Sequence, residues 1–225
     1  MKKTTQQLKK YHSPKVYKIK DKINFIITAI LLLEIAFALF RTEWTILFIT
    51  IITLVLISSV QFFTKKTQSY IYIPEEFQIA TVLFIFATLF LGEIHGYYES
   101  FWWWDLVLHT GSAVVFGFVG FIILLVLQRG GRVEAKALWL AIFSFAFAMA
   151  IGVVWEIFEF TADQLFNLNM QKSGLTDTMW DLIVNALGAL FASFVGFLYL
   201  KGEDKFSFSV LIDRFIKNNP QFFKE

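Results

Sequence analysis

The stretch 137-ALWLAIFSFAFAMAIGVVWEIFEF-160 reads as one membrane-spanning helix that carries two carboxylates, Glu156 and Glu159. Its apolar residues run on without the polar gaps of a surface helix, and it is longer than the about 20 residues, at about 1.5 Å rise each, that cross a hydrocarbon core about 30 Å thick. A charged side chain deep in a bilayer costs about 2.5–3.5 kcal/mol on insertion scales. The two glutamates must therefore face each other, water or a ligand.

Working outward, similar apolar runs lie near 23–40, 44–63, 77–95, 106–127 and 181–200, and with the first, extended to 137–162, they make six. With 57% of 225 residues hydrophobic and the apolar residues gathered into runs, the expected fold is all-α, a polytopic transmembrane helix bundle of about six spanning helices. The organisation read from these runs is a basic tail over 1–22, a six-helix membrane domain over 23–200 and a tail over 201–225. Pro74, Glu75 and Glu76 start the third helix, since proline tolerates the first turn and carboxylates suit its positive end. Gly130-Gly131 is a turn between helices, as no strand precedes it and no phosphate-loop Lys follows.

Lysine and arginine counts in the short loops set orientation. The N-terminal tail carries eight, the 64–76 loop two, the 128–136 loop three and the C-terminal tail five, against Arg41 and Lys172 on the other side: 18 of 20. Both termini are expected in the cytoplasm of a bacterial cell, with the chain in the cytoplasmic membrane; heavy use of Phe, Ile and Lys with three Pro fits an AT-rich bacterial genome. The basic inner face suits anionic lipid headgroups and requires no nucleic acid. Ala36-Phe37-Ala38 has the form of a signal-peptidase site, but it lies inside an apolar run, so the first helix is expected to remain as an anchor. In the C-terminal tail, Val210, Leu211, Phe215 and Ile216 interleaved with Lys205, Arg214 and Lys217 suggest a short amphipathic helix; Asn218-Asn219-Pro220 also allows a frayed, solvated tail. Tyr97, Tyr98 and Phe101-Trp102-Trp103-Trp104 read as an interfacial aromatic belt in preference to a ligand-stacking platform.

On this topology the ionisable residues gather in the outer half. Glu93 and His95 close the third helix, Asp105 and His109 open the fourth, Glu156, Glu159 and Asp163 end the fifth, and Asp177 and Asp181 open the sixth. Spacings of three and four put Asp105 with His109, Glu156 with Glu159 and Asp163, and Asp181 with Asn185 on single helix faces. Glu34 stands apart, as a partner for a neighbouring helix, and Asp163 and Glu93 read as solvated helix ends. Gly111, Gly117, Gly120, Gly152, Gly188, Ala192 and Gly196 let the last three helices approach closely and draw these faces together.

With no Cys in the chain, any metal would be held by oxygen and imidazole. The candidate metal ligands are His109, Glu156, Glu159, Asp177, Asp181 and Asn185, and the candidate catalytic residues are His109, Asp105, Glu156 and Glu159. In this reading Glu156, Glu159 and Asp181 hold a divalent cation or shared protons, and Asp105 orients His109 as base or ligand. A carboxylate-rich divalent site could activate water at a lipid headgroup or lipid-linked substrate; the same groups could serve a proton- or cation-coupled transporter, or a non-catalytic envelope protein that binds lipid. The nearly uncharged inner halves of the helices weigh against transport.

Asp105-Leu-Val-Leu-His109, Trp155-Glu156-Ile-Phe-Glu159 and Asp177-Thr-Met-Trp-Asp181, followed by Asn185 and Gly188, resemble in order and spacing the YjdF-like family of bacterial multi-pass membrane proteins. The resemblance covers roughly residues 80 to 200 and implies location and architecture, with the acidic and histidine positions as the functional centre; it supplies no reaction. More distantly, the motifs resemble the VanZ-like family, which has Gln where this chain has Glu159 and an Arg in the loop where it has Lys172.

Overall fold

The computed structural model describes residues 14–67, 70–203 and 208–223. It is 84% helical, and no strand occurs among the described residues. The helices are α1 (Pro14–Arg41), α2 (Trp44–Thr67), α3 (Glu75–Ile85, continued as a π-helix over Phe86–Ile94), a single turn α4 (Tyr97–Ser100), α5 (Trp104–Arg129), α6 (Ala137–Phe166), α7 (Leu175–Lys201) and α8 (Phe208–Asn218), closed by a 3-10 turn at Pro220–Phe222. Six are long and apolar enough to cross a membrane, the shortest being Glu75–Ile94 with 20 residues, which at about 1.5 Å each is about 30 Å. The chain is an all-α, multi-pass membrane protein.

Exposed and buried side chains follow membrane solvation. Phe25, Phe48, Val154, Leu187 and many other large apolar residues point outward from the spans, while Thr50, Thr53, Ser144, Glu156, Asp181 and Asn185 are buried. Lipid tails solvate the first set as well as a protein core would, so packing between helices falls to small and polar groups.

The chain divides into two compact units. In the first, which includes residues 14–101 and 214–219, α1, α2 and α3 pack around Ile27, Leu31, Ile57, Val82 and Phe90. Pro74 caps α3 at the expected place, yet Glu75 is fully buried rather than solvated, because the Tyr72 hydroxyl donates to its Oε2 at 2.7 Å. The second half of α8 belongs to this unit: Arg214 pairs with Glu76, and Asn219 hydrogen-bonds both backbone polar groups of Tyr72. The tail contains the helix α8, and Asn219 docks its end on Tyr72; Lys205 lies outside the described residues, as does the tail up to residue 13.

The π-helical end of α3 was not expected. A wider turn is tolerated where side chains hold it, and here Phe86 stacks on Phe90 at 4.8 Å, Phe90 meets the His95 ring at 4.5 Å, and the His95 Nδ1 lies 2.9 Å from the Phe90 carbonyl oxygen.

In the second unit, α5, α6 and α7 pack pairwise in one three-helix group. Close approach has identifiable causes. A Cβ on Gly188 would stand 2.5 Å from the Thr110 carbonyl oxygen, and one on Gly117 2.6 Å from the Ala192 Cβ. The Ser144 hydroxyl donates across helices to the Gly117 carbonyl at 2.7 Å. Gly111, expected among these packing positions, has nothing within 4 Å of where its Cβ would be and faces outward. The sixth span starts at Leu175, not 181: the hydroxyl, carboxylate and indole residues of its first two turns lower its hydropathy but do not prevent helix formation. Asp177 thus sits in a helical first turn, where a carboxylate faces the exposed N–H groups.

Candidate functional site

All of the site residues named from the sequence belong to the second unit. α5 carries Asp105 and His109 one turn apart. α6 carries Glu156 and Glu159, and α7 carries Asp177, Asp181 and Asn185 at four-residue steps down one face.

His109 is the hub. Its Nε2 is 3.5 Å from Asp105 Oδ1 and 4.0 Å from Asp181 Oδ2; its Nδ1 is 3.8 Å from Glu156 Oε1 and 3.4 Å from Asn185 Nδ2. His109, Glu156, Asp181 and Asn185 are all buried, Asp181 to 2% exposure. Three helices thus bring four groups to a single imidazole: Asp105 from α5, Glu156 from α6, and Asp181 and Asn185 from α7. Asn185 reaches this point because Gly152 on α6 leaves room for it: a Cβ there would be 2.7 Å from Asn185 Nδ2.

The remaining residues are less central. Glu159 is buried one turn from Glu156, and its Oε1 accepts the Trp155 indole N–H at 2.8 Å. Asp163, expected as a solvated helix end, instead accepts the backbone N–H groups of Met170 and Gln171 at 2.7 and 2.9 Å and fixes the loop between α6 and α7. Asn167, in the left-handed conformation with φ 53°, ends α6. Lys172 in that loop exerts its charge on Asp105 and Asp177. Glu93 and His95 belong to the first unit. What sequence reasoning passed over is the pairing of buried Glu75 with Tyr72, although Tyr and Glu three residues apart beside a proline were its visible trace.

The contacts around His109 are too long for good hydrogen bonds, which run from about 2.7 to 3.2 Å. Both carboxylate oxygens of Glu156, Oδ2 of Asp177 and Oδ2 of Asp181 are buried with no hydrogen-bond partner. Buried carboxylates without a donor are costly and require protons or a cation. Ligand atoms from Asp105, His109 and Asp181 all lie within 4.8 Å of one another. Donors bonded to one divalent ion at about 2.1 Å and near-tetrahedral angles are about 3.4 Å apart, close to the 3.5 and 4.0 Å found here. One imidazole and two carboxylates with no thiolate form a hard-to-borderline donor set, so the residues present fit an ion such as Zn2+ or Mn2+. Glu159 lies outside that three-residue group.

Six membrane-length helices with a buried acidic and histidine cluster in the last three define a multi-pass membrane protein with an internal polar site. The chain belongs to the family described as "Predicted membrane protein (DUF2238)", which matches residues 23–202. It is also similar to a protein of Thermotoga maritima (strain ATCC 43589) named "Uncharacterized protein", 27% identical over 177 residues that cover 75% of this chain and 85% of the relative. No solved structure matches it. The expected likeness to YjdF-like proteins is consistent with this membership; the more distant VanZ-like resemblance has no support in it.

Proposed function

We propose that the cluster on α5, α6 and α7 holds a divalent metal ion and that the protein is a metal-dependent enzyme acting on a lipid headgroup or lipid-linked substrate at the outer face of the bacterial cytoplasmic membrane. The observation that carries the reading is the set of ligand atoms from Asp105, His109 and Asp181 within 4.8 Å, beside buried carboxylate oxygens that lack donors. Asp105, Asp181 and His109 Nε2 are the ligands. The ring proton would then be on Nδ1, which faces Glu156 Oε1 at 3.8 Å, and closing of that contact to hydrogen-bond distance would hold the imidazole in the ligating tautomer, as carboxylates behind metal-bound histidines do. A bound divalent ion supplies a water of lowered pKa or a Lewis acid for a phosphoryl or carbonyl oxygen. In this reading Glu159, whose Oε1 accepts the Trp155 indole N–H, exchanges a proton with the reacting group.

The orientation rests on the distribution of Lys and Arg, 18 of 20 in the segments assigned to the cytoplasm. The bacterial assignment is supported by the Thermotoga relative.

Elemental mass spectrometry of the detergent-purified protein tests the metal directly. A near-stoichiometric divalent metal, lost in His109→Ala and Asp181→Asn variants that keep the wild-type gel-filtration profile, supports the reading and directs assays to phospholipids and lipid-linked pyrophosphates. Absence of metal in the wild type, together with failure of added Zn2+ or Mn2+ to bind, overturns it and leaves shared protons on the carboxylates, the state expected of a proton-coupled transporter or a non-catalytic envelope protein.

A further inference from the structure

The first unit contains a cavity of about 410 Å3 that the proposed chemistry does not use. It lies among the first turns of α1, the last turns of α2 and the first turns of α3, where these three helices end at one level. Lys20, Asp21 and Asn24 line it from α1, Gln61 and Lys65 from α2, and Gln78 from α3. Its volume is in the range of small-molecule sites, about 300–1,000 Å3.

Its chemistry is specific. Lys20 is held in place: its ammonium donates to Gln78 Oε1 at 3.2 Å and sits 5.0 Å from the centre of the Tyr17 ring. Gln78 in turn donates to the Ile73 carbonyl at 2.8 Å, so the anchoring amide is itself fixed. Two of the three donors of the Lys20 ammonium remain for a ligand, and Lys65 adds a second positive charge at the rim. Against one Asp21 the lining carries a net charge of +1. Asn24 Oδ1 is shut away from solvent with no hydrogen-bond partner, an acceptor that calls for a donor. Phe62 and Val82 supply apolar wall beside these groups.

A single negative charge, hydroxyl donors and an adjoining apolar chain belong together in one class of molecule. We infer that this cavity holds the headgroup of an anionic glycerophospholipid, its phosphodiester at Lys20 and Lys65 and a glycerol hydroxyl at Asn24. The location agrees, because the phosphate layer of a bilayer lies at the ends of spanning helices and basic pockets between such ends take anionic headgroups. The shared chemistry with soluble glycerol phosphate is the phosphate and hydroxyl pair; the apolar wall favours the lipid.

Native mass spectrometry of the full chain in mild detergent, with added dioleoylphosphatidylglycerol or dioleoylphosphatidylcholine, tests the site. The wild type is expected to retain one phosphatidylglycerol under activation that strips phosphatidylcholine. Retention falls about tenfold or more in Lys20→Ala/Lys65→Ala and in Asn24→Asp, the latter nearly isosteric and adding one repelling charge. If the double variant loses its gel-filtration profile, Asn24→Asp carries the test. Equal retention of the two lipids by the wild type, or undiminished phosphatidylglycerol in Asn24→Asp, overturns the proposal. Binding of free glycerol phosphate without retention of the lipid overturns it in favour of a soluble ligand.

Discussion

Gly152 on α6 and Asn185 on α7 meet so closely that a Cβ on the glycine would stand 2.7 Å from the Asn185 amide nitrogen, and that amide is the group that reaches His109 Nδ1 at 3.4 Å. A residue with no side chain therefore sets where a polar group on the neighbouring helix meets the imidazole. Gly152→Ala is expected to weaken divalent-metal binding about tenfold, the size of effect seen for groups behind a metal ligand, with helicity by circular dichroism unchanged. A metal titration indistinguishable from wild type would show that Asn185 does not position the ring.

The two nitrogens of His109 should separate in mutants of their partners. Asp181→Asn removes a ligand and is expected to abolish stoichiometric metal, whereas Glu156→Gln keeps the ligands and costs about 10–100-fold in affinity. The reverse order in side-by-side titrations would place the ion on the Glu156 side of the ring.

Gly188 and Gly111 lie on other faces of the same bundle and should respond to alanine with opposite signs. At Gly188 the added methyl meets the Thr110 carbonyl oxygen at 2.5 Å, a backbone atom that cannot turn away, and overpacking of this kind costs about 1–3 kcal/mol. At Gly111 it meets nothing within 4 Å, so helix propensity alone acts and stabilises by up to about 1 kcal/mol. Melting temperatures of the two variants in one detergent decide the matter; a Gly188→Ala protein that melts with the wild type would refute the close crossing of α5 and α7.

Tyr72, outside the membrane spans, has its hydroxyl pushed well above the ordinary 10.0 by burial first and then by its hydrogen bond to Glu75. A raised pKa in the fold means that the unfolded chain loses this proton first. The stabilisation is complete below about pH 10 and drains away as pH rises past it. Wild type should therefore lose melting temperature more steeply than Tyr72→Phe between pH 9 and pH 11. Parallel curves would mean that Tyr72 ionises alike in both states.

Asn219→Ala deprives the buried Tyr72 N–H and C=O of the partners they have at 2.7 and 2.9 Å. An orphaned buried polar group costs about 1–3 kcal/mol, and two are lost. Asn219→Asp keeps the acceptor and loses the donor, so its melting temperature should fall between those of wild type and Asn219→Ala.

The spans were legible because lipid imposes a coarse rule: about 20 apolar residues make a crossing whatever their order. The meeting of Asp105, His109, Glu156, Asp181 and Asn185 was legible because three- and four-residue steps fix helix faces, and a carboxylate in a span has nowhere to point but inward. Other features depend on neighbours that no local pattern encodes. Gly111 carries the same small-residue signal as Gly188, yet nothing packs against it. The π-helix at Phe86–Ile94 accompanies ring contacts of Phe90 with Phe86 and with His95 that no local pattern announces. Asn218-Asn219-Pro220 has the composition of a fraying end, and only the position of Tyr72 makes it a docking point.

Asn219 and Tyr72 are 147 residues apart. At translation rates of about 5–20 residues per second, the ribosome needs roughly 7–30 s to travel from one to the other. During that interval α3 to α7 are made and inserted while the backbone ahead of α3 still waits for its partner. The first unit is thus started early and completed only near the end of synthesis, after all six spans have been made, and a chain cut short before Asn219 would hold those spans and leave Tyr72 without its closing amide.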